Sequence, residues 1–398
     1  MRSAPLMFVS GAALAAIPIL AQNPASGPVA RYDMRAGTVS GMGALGAGGM
    51  GSMMSMFFGG GGSKTQRELY LRLGSSRAPT GSPSADHFMP AGAKLGKSVK
   101  LSTPTVERGP GDELPMQREG QRPTGRILLY WGCGEHAPKG QPVVIDLAKL
   151  AVGQVPPGLW SSTVVRDWGP TLTNSKTFGR WPAEDNKYVK SDSSLLGAHR
   201  VAGNYSPEIA FSLTKDFMPA LNTSLAVLPS GAATLSWNAL PEATGYVASL
   251  TGGKRGPGET MGDIVMWSSS ASKQFGGGLS DWLSPGQVAN LVRDRTALAP
   301  SVTTCTIPAE VRRDAPDFRF GMLTGFGPEE DFSYPPRPAA AKTPWHLEWT
   351  ARIRHRSFTS WLDMPGMEGM TGAQPGKPEC KRSKGLGGIL GGVLKPGC

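Results

Sequence analysis

The sequence lacks the short motifs that mark the common hydrolases and metalloenzymes. It contains no Gly-x-Ser-x-Gly nucleophile elbow and no His-Glu-x-x-His zinc motif. Its 4 cysteines include no Cys-x-x-Cys pair, and neither they nor the histidines have the spacing of a zinc module. These absences favour a non-enzymatic protein, and the sequence predicts no metal and no cofactor.

Charged residues are also scarce, at 18% of the chain. Glycine (54) and proline (35) together supply more than a fifth of the 398 residues, well above their usual share. Both residues disfavour helices, and no long helical patterns alternate with the strand-like runs, so a parallel α/β fold is excluded. We therefore predict a mainly β protein with two sandwich-like β domains and flexible ends rich in glycine and proline.

The first 21 residues have the three parts of a secretory signal peptide. Arg2 supplies the positive start, residues 6–20 are apolar, and Ala21 is the small residue at the end. The apolar run is shorter than the roughly 20 residues of a membrane-spanning helix, which makes an uncleaved anchor the weaker alternative. The sequence predicts cleavage before Gln22 and export to the periplasm, the cell surface or the medium.

Export would place the four cysteines, Cys133, Cys305, Cys380 and Cys398, in an oxidising compartment. Four cysteines allow three pairings, and the sequence alone leaves the choice open. The short separation of Cys380 and Cys398 favours that pair, which leaves Cys133 with Cys305. The alternative for Cys133 and Cys305 is that both are buried as small apolar residues.

The formal net charge of +11 is typical of an exported protein that meets an anionic surface. The partners of this kind are lipid head groups and acidic polysaccharide, and the sequence contains no specific nucleic-acid motif. Lys377, Lys381, Arg382 and Lys384 form a compact basic cluster, and much of the remaining charge is scattered. The alternative is that the charge serves only solubility.

Residues 36–63 contain no charge, and 11 of these 28 residues are glycine. Small residues recur at every fourth position: Gly43, Ala47, Gly51, Ser55 and Gly59. On a helix this spacing forms a smooth stripe, as in the glycine zippers of membrane-associated assemblies. The tail repeats the spacing with Gly387 and Gly391. One prediction is self-association through both segments. The alternative is a flexible linker, because each glycine costs a helix about 1 kcal/mol.

Short apolar runs between turn residues predict strands at residues 68–73, 126–131, 142–147, 162–165, 209–213 and 224–228. Residues 345–354 alternate apolar and polar side chains, which predicts a half-buried strand with Trp345, Leu347, Trp349, Ala351 and Ile353 inward. Seven prolines between residues 75 and 125 argue against long regular elements there. The run Ser284-Pro285-Gly286-Gln287 predicts a helix start.

Residues 233–250 combine an inward-facing Trp237, a proline-containing turn and a strand that begins near Tyr246. This order resembles the second and third strands of a fibronectin type III module. Residues 264–267, 302–307 and 318–323 supply further strands. The resemblance, over about residues 222–330, implies a β-sandwich and little about function. The sequence departs from the family in a long insertion at 251–300 and in lacking the Tyr-x-Val-x-Ala pattern of the last strands.

One compact group of reactive residue types is present: Cys133, Glu135 and His136. A nucleophilic cysteine needs a base nearby in space, and neighbours in sequence do not replace it. Three metal ligands within four positions would crowd a tetrahedral site. The preferred interpretation is therefore a structural turn with a disulfide or buried cysteine.

A second group places three acidic residues near tryptophans, which is a pattern found in sugar clefts. The acidic residues are Asp167, Glu184 and Asp185, and the tryptophans are Trp160, Trp168 and Trp181. Tryptophans in loops also stack on sugar rings without chemistry, and most tryptophans pack in cores.

These patterns divide the chain into a signal peptide (1–21), a Gly/Met-rich low-complexity segment (22–63), a first β domain with a proline-rich irregular part (64–219), the fibronectin type III-like sandwich (220–335), a proline linker with a terminal strand (336–363) and a Gly/Lys-rich tail (364–398). The sequence predicts an exported, non-enzymatic envelope or extracellular protein that binds or scaffolds an unknown ligand. The alternatives are a secreted hydrolase and a membrane-associated or self-assembling protein that uses the glycine-repeat segments.

Overall fold

The computed structural model describes residues 27–45, 65–104, 125–155, 159–161, 165, 169–183, 187–255, 261–276, 278–279, 281–337 and 345–365. Within these ranges the chain is mainly β, which confirms the predicted fold class. The predicted signal peptide, the basic cluster around Lys381 and residues 366–398 of the predicted tail lie outside them.

The strands are β1 (Ala30–Gly41), β2 (Gln66–Ser75), β3 (Ala85–Phe88), β4 (Ser98–Lys100), β5 (Arg126–Trp131), β6 (Val143–Asp146), β7 (Thr177–Trp181), β8 (Tyr188–Val189), β9 (Gly197–Gly203), β10 (Ser206–Leu213), β11 (Thr223–Val227), β12 (Ala233–Trp237), β13 (Gly245–Arg255), β14 (Met261–Ser268), β15 (Thr304–Ile307), β16 (Phe318–Tyr334) and β17 (Trp349–Asp363). The α-helices are α1 (Leu147–Ala151), α2 (Pro285–Arg293) and α3 (Ala309–Asp314). Met42–Leu45 and Ala91–Ala93 are short 3-10 helices.

A ten-stranded main sheet runs through the molecule in the order β6-β5-β14-β13-β16-β17-β1-β2-β7, with β8 beside β2. Most neighbours are antiparallel, whereas β1 pairs with β17, and β14 with β5, in parallel. β1 lies between two long partners, and nearly all of its residues are buried. A strand covered on both faces usually has an apolar sequence. β1 instead alternates apolar and polar residues, so its polar side chains are buried too.

Two smaller sheets cover one face of the main sheet. The four-stranded sheet β10-β9-β3-β4 packs near β1 and β2, in a core that includes Leu71, Ile209 and Ile353. The three-stranded sheet β11-β12-β15 packs near β13 and β16, in a core that includes Leu235 and Trp361. Ile353 and Trp361 are both in β17 and are separated by an even number of residues, so they point to the same face. The predicted division into two sandwich domains stays a prediction, because one sheet runs through both halves.

The opposite face of the main sheet is covered by α2 and by the segments before it. Leu283 and Leu291 pack there against Phe326 of β16, and Ile127 of β5 and Met266 of β14 belong to a further apolar cluster. The helix starts as predicted. The Ser284 side chain accepts from the Gln287 backbone amide, and the Gln287 side chain accepts from the Ser284 amide, which completes a capping box.

Most of the predicted strands are confirmed. Residues 68–73, 126–131, 209–213, 233–237, 264–267 and 318–323 lie wholly within strands. The run at 345–354 needs a correction, because its strand begins at Trp349. Trp345 and Leu347 are half-buried and precede the strand. The indole N–H of Trp345 donates to the carbonyl of Pro335 at 3.0 Å, which holds this ring beside the end of β16.

Residues 36–41 also differ from expectation. The uncharged run was expected to be either a helix or a linker, but its first residues continue β1 to Gly41. Thr38 and Ser40 explain this, because their hydroxyls donate to the carbonyls of Met218 (2.6 Å) and Leu221 (2.5 Å). These bonds tie the strand to the chain between β10 and β11.

Gly321 of β16 lies under the indole of Trp361, its register partner on β17. A Cβ atom at position 321 would lie 2.1 Å from Cε2 of that ring. Because Trp361 is buried and has no free space to move into, we expect Gly321→Ala to lower the free energy of unfolding by about 1–3 kcal/mol. Urea unfolding checks this. Gly286→Ala is the matched control, since no atom lies within 4 Å of its Cβ position. An equal loss in both variants would contradict the explanation.

Candidate functional site

Charged side chains form rows across one face of the main sheet, which we call the charged face. In the first row, Arg72 of β2, Asp33 of β1, Arg352 of β17 and Asp331 of β16 are register partners. The next row contains Tyr70, Arg35, Arg354 and Glu329, and a third contains Glu68, Gly37 and Arg356. These residues alternate with the apolar ones that build the core on the other face, which is how β geometry places them together.

Asp33 of the first row and Arg35 and Arg354 of the second row are closed from solvent. The Asp33 carboxylate lies between two guanidinium groups, with Arg35 Nε at 2.7 Å and Arg354 Nη2 at 2.5 Å. Arg354 also donates to the backbone carbonyl of Trp282 at 2.5 Å. All four residues are buried. Burial of a carboxylate is tolerated here because its charge is compensated on two sides.

The third row is centred on Glu68, which is 1% exposed. Arg356 Nη2 lies 2.8 Å from one carboxylate oxygen, and Lys187 Nζ lies 3.4 Å from the other. Gly37 provides the space, because a Cβ atom there would lie 2.5 Å from Glu68 Cγ. The Arg356 guanidinium stacks on the Trp282 ring at 4.1 Å. Trp282 therefore covers Arg354 of the second row and Arg356 of the third row.

Arg352 and Asp331, at one end of the first row, remain open to solvent. They form part of the floor of a pocket of about 280 Å³. The walls include Gly169, Pro170 and Trp345. The polar side chains of the floor are two guanidinium groups, two carboxylates and two hydroxyls, from Arg31, Asp33, Asp331, Ser333, Thr350 and Arg352. We call this the charged-face pocket. It combines both signs of charge with the aromatic side chain of Trp345 in its wall, as ligand sites with a few placed polar groups do.

Two contacts fix the walls of the charged-face pocket. A Cβ atom at Gly74 would lie 2.2 Å from Ser175 Oγ and 2.6 Å from Pro170 Cβ, so a glycine is needed for the 170–175 loop to approach β2. Arg31 donates to the backbone carbonyl (2.9 Å) and side-chain oxygen (3.0 Å) of Asn174 in that loop. The pocket is thus largely formed before any ligand arrives.

Of the two cations on the floor, Arg352 has the weaker contacts, since Arg31 hydrogen-bonds to Asn174. The Arg352 Nε lies 3.6 Å from Glu329 Oε2 and 3.5 Å from Asp331 Oδ1, beyond normal hydrogen-bond distance. In the described part of the chain, neither Arg352 Nε nor Glu329 Oε2 has a hydrogen-bond partner. Burial, and then the nearby Asp331 carboxylate, raise the pKa of Glu329 to about 7. Buried polar atoms without a partner are costly, so the ion pairing of Arg352 on this side is incomplete.

The structure confirms one of the two predicted disulfides. Cys133 and Cys305 are bonded, with their Cα atoms 5.2 Å apart. Cys380 and Cys398 lie outside the described residues. Because Cys133 is in a disulfide, it is not a free nucleophile. Gly132 has a φ of +95°, as the predicted turn requires.

The other residues of that group are engaged locally. His136 Nδ1 lies 3.2 Å from a carboxylate oxygen of Glu310, on α3. This contact ties the turn to α3 and agrees with a structural role. The three acidic residues of the predicted sugar cleft, Asp167, Glu184 and Asp185, lie outside the described residues. Trp160 is 61% exposed and packs beside Phe275 at a centroid distance of 5.2 Å.

The glycine-repeat candidates are mostly beyond the described ranges. Gly43 is within them, in the short 3-10 helix after β1. A Cβ atom there would lie 3.0 Å from Val39 Cγ1 and 3.1 Å from Phe358 Cε1, so Gly43 packs against the main sheet. Ala47, Gly51, Ser55, Gly59, Gly387 and Gly391 lie outside.

A buried chain of polar groups was missed by sequence reasoning. Tyr32 Oη lies 2.6 Å from His87 Nδ1, His87 Nε2 lies 3.0 Å from His199 Nδ1, and His199 Nε2 lies 2.7 Å from the Leu195 carbonyl. The carbonyl accepts only, so His199 Nε2 carries a proton and each preceding group donates toward it. Burial, and then the neighbouring His199, lower the pKa of His87 well below its usual value. Burial also lowers the pKa of His199. The hydrogen-bonded series Tyr32, His87 and His199 is therefore uncharged in the folded protein.

Within the described ranges, no helix is both long and apolar enough to cross a membrane. Among the same residues, no group of three or more His, Cys, Asp or Glu side chains is placed to hold a metal ion. No family model, curated protein or solved structure matches the chain. Its function therefore has to be inferred from the geometry of the charged face.

Proposed function

We propose that the protein is an exported, non-enzymatic binding protein that holds a small anionic ligand in the charged-face pocket. The observation that carries this proposal is the contrast between the rows. Trp282 covers the ion pairs of the inner rows, whereas the Arg352 guanidinium of the first row is 40% exposed and lies 3.5 Å from Asp331, beyond normal hydrogen-bond distance. An open, largely preformed pocket with an underused guanidinium suits an anion.

The charge balance around the pocket supports an anionic ligand. Asp33 is already neutralised by Arg35 and Arg354. This leaves Arg31 and Arg352 facing a single exposed carboxylate, Asp331, on the floor. An anion bound beside Arg31 and Arg352 would balance the positive charge that remains on the pocket floor. The basic net charge of +11 supports the same preference over a longer range.

Binding is tested by isothermal titration of the mature protein. The probes are the sodium salts of phosphate, citrate and glucuronate, and glucose as a neutral sugar. We expect at least one of the anions to bind, and we expect Arg352→Gln to weaken that binding at least tenfold. Arg293→Gln on α2 is the matched control, because its guanidinium is exposed and pairs locally with Asp294. The proposal fails if none of the probes binds, or if Arg352→Gln and Arg293→Gln behave alike.

Hydrolysis is a second candidate, and one observation favours it. A carboxyl group whose pKa is raised to about 7 is suited to general acid–base work, and Glu329 has this property beside Asp331. However, Glu329 lies one row behind the pocket floor and faces Arg352 and Arg354. Binding is therefore the better supported function. Turnover of a chromogenic glycoside that Glu329→Gln abolishes would reverse this order.

Export is supported by the apolar, charge-led N-terminal sequence and by the bond between Cys133 and Cys305, since disulfides persist in oxidising compartments. Mass spectrometry of the N-terminus of protein collected outside the cytoplasm tests it. A mature chain that begins at Gln22 is expected. Retention of Met1 or Arg2 there would contradict the proposal.

A fibronectin type III-like sandwich over about residues 222–330 is also proposed. In its favour, β11, β12 and β15 form one sheet while β13, β14 and β16 lie in the other, which is the strand partition of immunoglobulin-like sandwiches. The rings of Trp237 and Tyr246, which carry the sequence resemblance, are 5.5 Å apart in the core between the two sheets.

Self-assembly through the glycine repeats remains a separate proposal. Because Gly43 packs against Val39 and Phe358, its replacement would disturb the sheet as well as the stripe. Gly51→Leu and Gly59→Leu are therefore the better test. Unchanged oligomer size and membrane partition in that double variant would leave these segments as linkers.

A further inference from the structure

We propose that the ligand of the charged-face pocket is a uronic acid, that is, a six-membered sugar ring with a carboxylate. In this arrangement the carboxylate faces Arg352 and Arg31, and the ring lies against Trp345. This inference rests on the proposed binding function and narrows it to one chemical class.

The size of the pocket sets the first limit. Its volume of about 280 Å³ lies just below the roughly 300–1,000 Å³ typical of sites for drug-sized ligands. A single ring with short substituents fits such a space, and a larger ring system does not. Because the pocket opens to solvent beside Asp331, whose side chain is 62% exposed, the ring can be free or can be one residue of a chain that continues outside.

The polar groups of the floor set the second limit. Ser333 and Thr350 present hydroxyls that both donate and accept, and the Asp331 carboxylate accepts. A ligand that uses all of them must carry several hydroxyl groups. Phosphate or a simple carboxylate would engage Arg352 and leave these partners unused. A polyhydroxylated ring satisfies them.

Trp345 sets the third limit. Its indole nitrogen is held by the Pro335 carbonyl at 3.0 Å, and the Arg337 guanidinium lies 5.8 Å from its ring centroid. The ring is therefore fixed at the wall of the pocket and is half-buried. A fixed, half-buried indole offers an apolar face to a ligand at little entropic cost. The apolar face of a sugar ring is complementary to it, and a small inorganic anion is not.

Arg352 distinguishes an acidic sugar from a neutral one. A neutral sugar would leave the Arg352 guanidinium, whose side chain is 40% exposed, without a close ion-pair partner, since Glu329 and Asp331 lie 3.6 and 3.5 Å from its Nε. A ligand carboxylate can approach the guanidinium with charge-assisted, bidentate hydrogen bonds. Because Asp33 is already paired with Arg35 and Arg354, two guanidinium groups and one carboxylate of the floor are left for a ligand. This balance favours the acidic sugar over its neutral counterpart.

Isothermal titration of the mature full-length protein with glucuronate, glucose, acetate and phosphate tests the inference. We expect glucuronate to bind at least tenfold more tightly than glucose, acetate or phosphate. In Arg352→Gln, glucuronate should fall to the affinity of glucose, whereas Trp345→Ala should weaken both sugars and leave acetate unchanged. A trigalacturonate probe separates the sources: tighter binding than glucuronate indicates a residue within an acidic polysaccharide, and weaker binding indicates a free sugar acid.

The controls keep the two proposals separable. Arg293→Gln, on α2 and away from the pocket, should bind glucuronate like the wild type, and circular dichroism checks that each variant is folded. If Arg352→Gln unfolds, Arg352→Lys, which keeps the charge without the bidentate fork, replaces it and should still lose at least tenfold. Phosphate or citrate binding without a preference for glucuronate would overturn this inference and keep the binding function. No binding of any probe would overturn both.

Discussion

Asp33→Asn should lower the free energy of unfolding by about 3–5 kcal/mol, the usual cost of breaking a buried ion pair from one side. The Asp33 carboxylate, 2% exposed, is the charge that both Arg35 and Arg354 face, at 2.7 and 2.5 Å. The amide has nearly the same shape but no charge. Two guanidinium groups, which are register partners on β1 and β17, would then face each other without the carboxylate between them. Urea or thermal unfolding measures the loss.

Asp331→Asn is the control for this prediction. Asp331 is on β16, two strands from Asp33 in the same row, but its side chain is 62% exposed and lies 3.5 Å from Arg352. Exposed pairs contribute at most about 1 kcal/mol. A similar loss in the two variants, or a loss below about 1 kcal/mol for Asp33→Asn, would show that the charged face is not held together as described.

Local patterns predicted much of the fold. β5 and the middle of β2 follow from short apolar runs, and the start of α2 follows from Ser284 and Gln287, whose capping contacts span only three residues. Such features depend on neighbours in the sequence. They need no knowledge of which strands lie side by side.

β1 shows what the sequence could not predict. Its second half is part of an uncharged, glycine-rich run, and it becomes a strand because β17, more than 300 residues away, pairs with it in parallel. Thr38 and Ser40 add bonds to the chain near residues 218–221. These partners are distant in sequence, so tertiary contacts override the low intrinsic preference of glycine for strands.

The charged face was missed for a different reason. Its signal is present, since Asp33 and Arg35 are two residues apart, as are Arg352, Arg354 and Arg356. Polar residues with this spacing normally point to solvent on a half-buried strand. Here Trp282, from the segment before α2, covers them. The alternation of charged and apolar residues can be read from the sequence. That the Trp282 ring covers the charged side chains cannot, because it depends on the tertiary fold.

Acid should destabilise the protein well above the pH at which carboxylates titrate. His87, His199 and His355 are buried, and burial lowers the pKa of each. In the folded protein they stay neutral, whereas in the unfolded chain they take up protons below pH of about 6.5. Their contribution is therefore fully present above that pH and is lost as the pH falls. Between pH 7.5 and 5.5 each histidine that stays neutral in the folded protein costs about 1.4 kcal/mol, so the three together cost at most about 4 kcal/mol.

Glu329 acts in the opposite direction over the same range. Its folded pKa of about 7 is above the value in an unfolded chain. The folded protein therefore binds a proton on the Glu329 carboxyl below about pH 7, whereas the unfolded chain binds it only below about pH 4.5. Proton binding at Glu329 stabilises the fold by about 2 kcal/mol more at pH 5.5 than at pH 7.5. The wild type should accordingly lose at most about 2 kcal/mol across this range.

Glu329→Gln separates the two contributions, because glutamine keeps the neutral shape and does not titrate. We expect this variant to lose about 2 kcal/mol more than the wild type between pH 7.5 and 5.5. His87→Gln in the Glu329→Gln background should reduce this loss by about 1 kcal/mol, since one of the three histidines no longer titrates. His346→Gln, at an exposed position, should leave it unchanged. Urea unfolding at the two pH values measures each quantity, and equal losses in the wild type and Glu329→Gln would rule out the opposing role of Glu329.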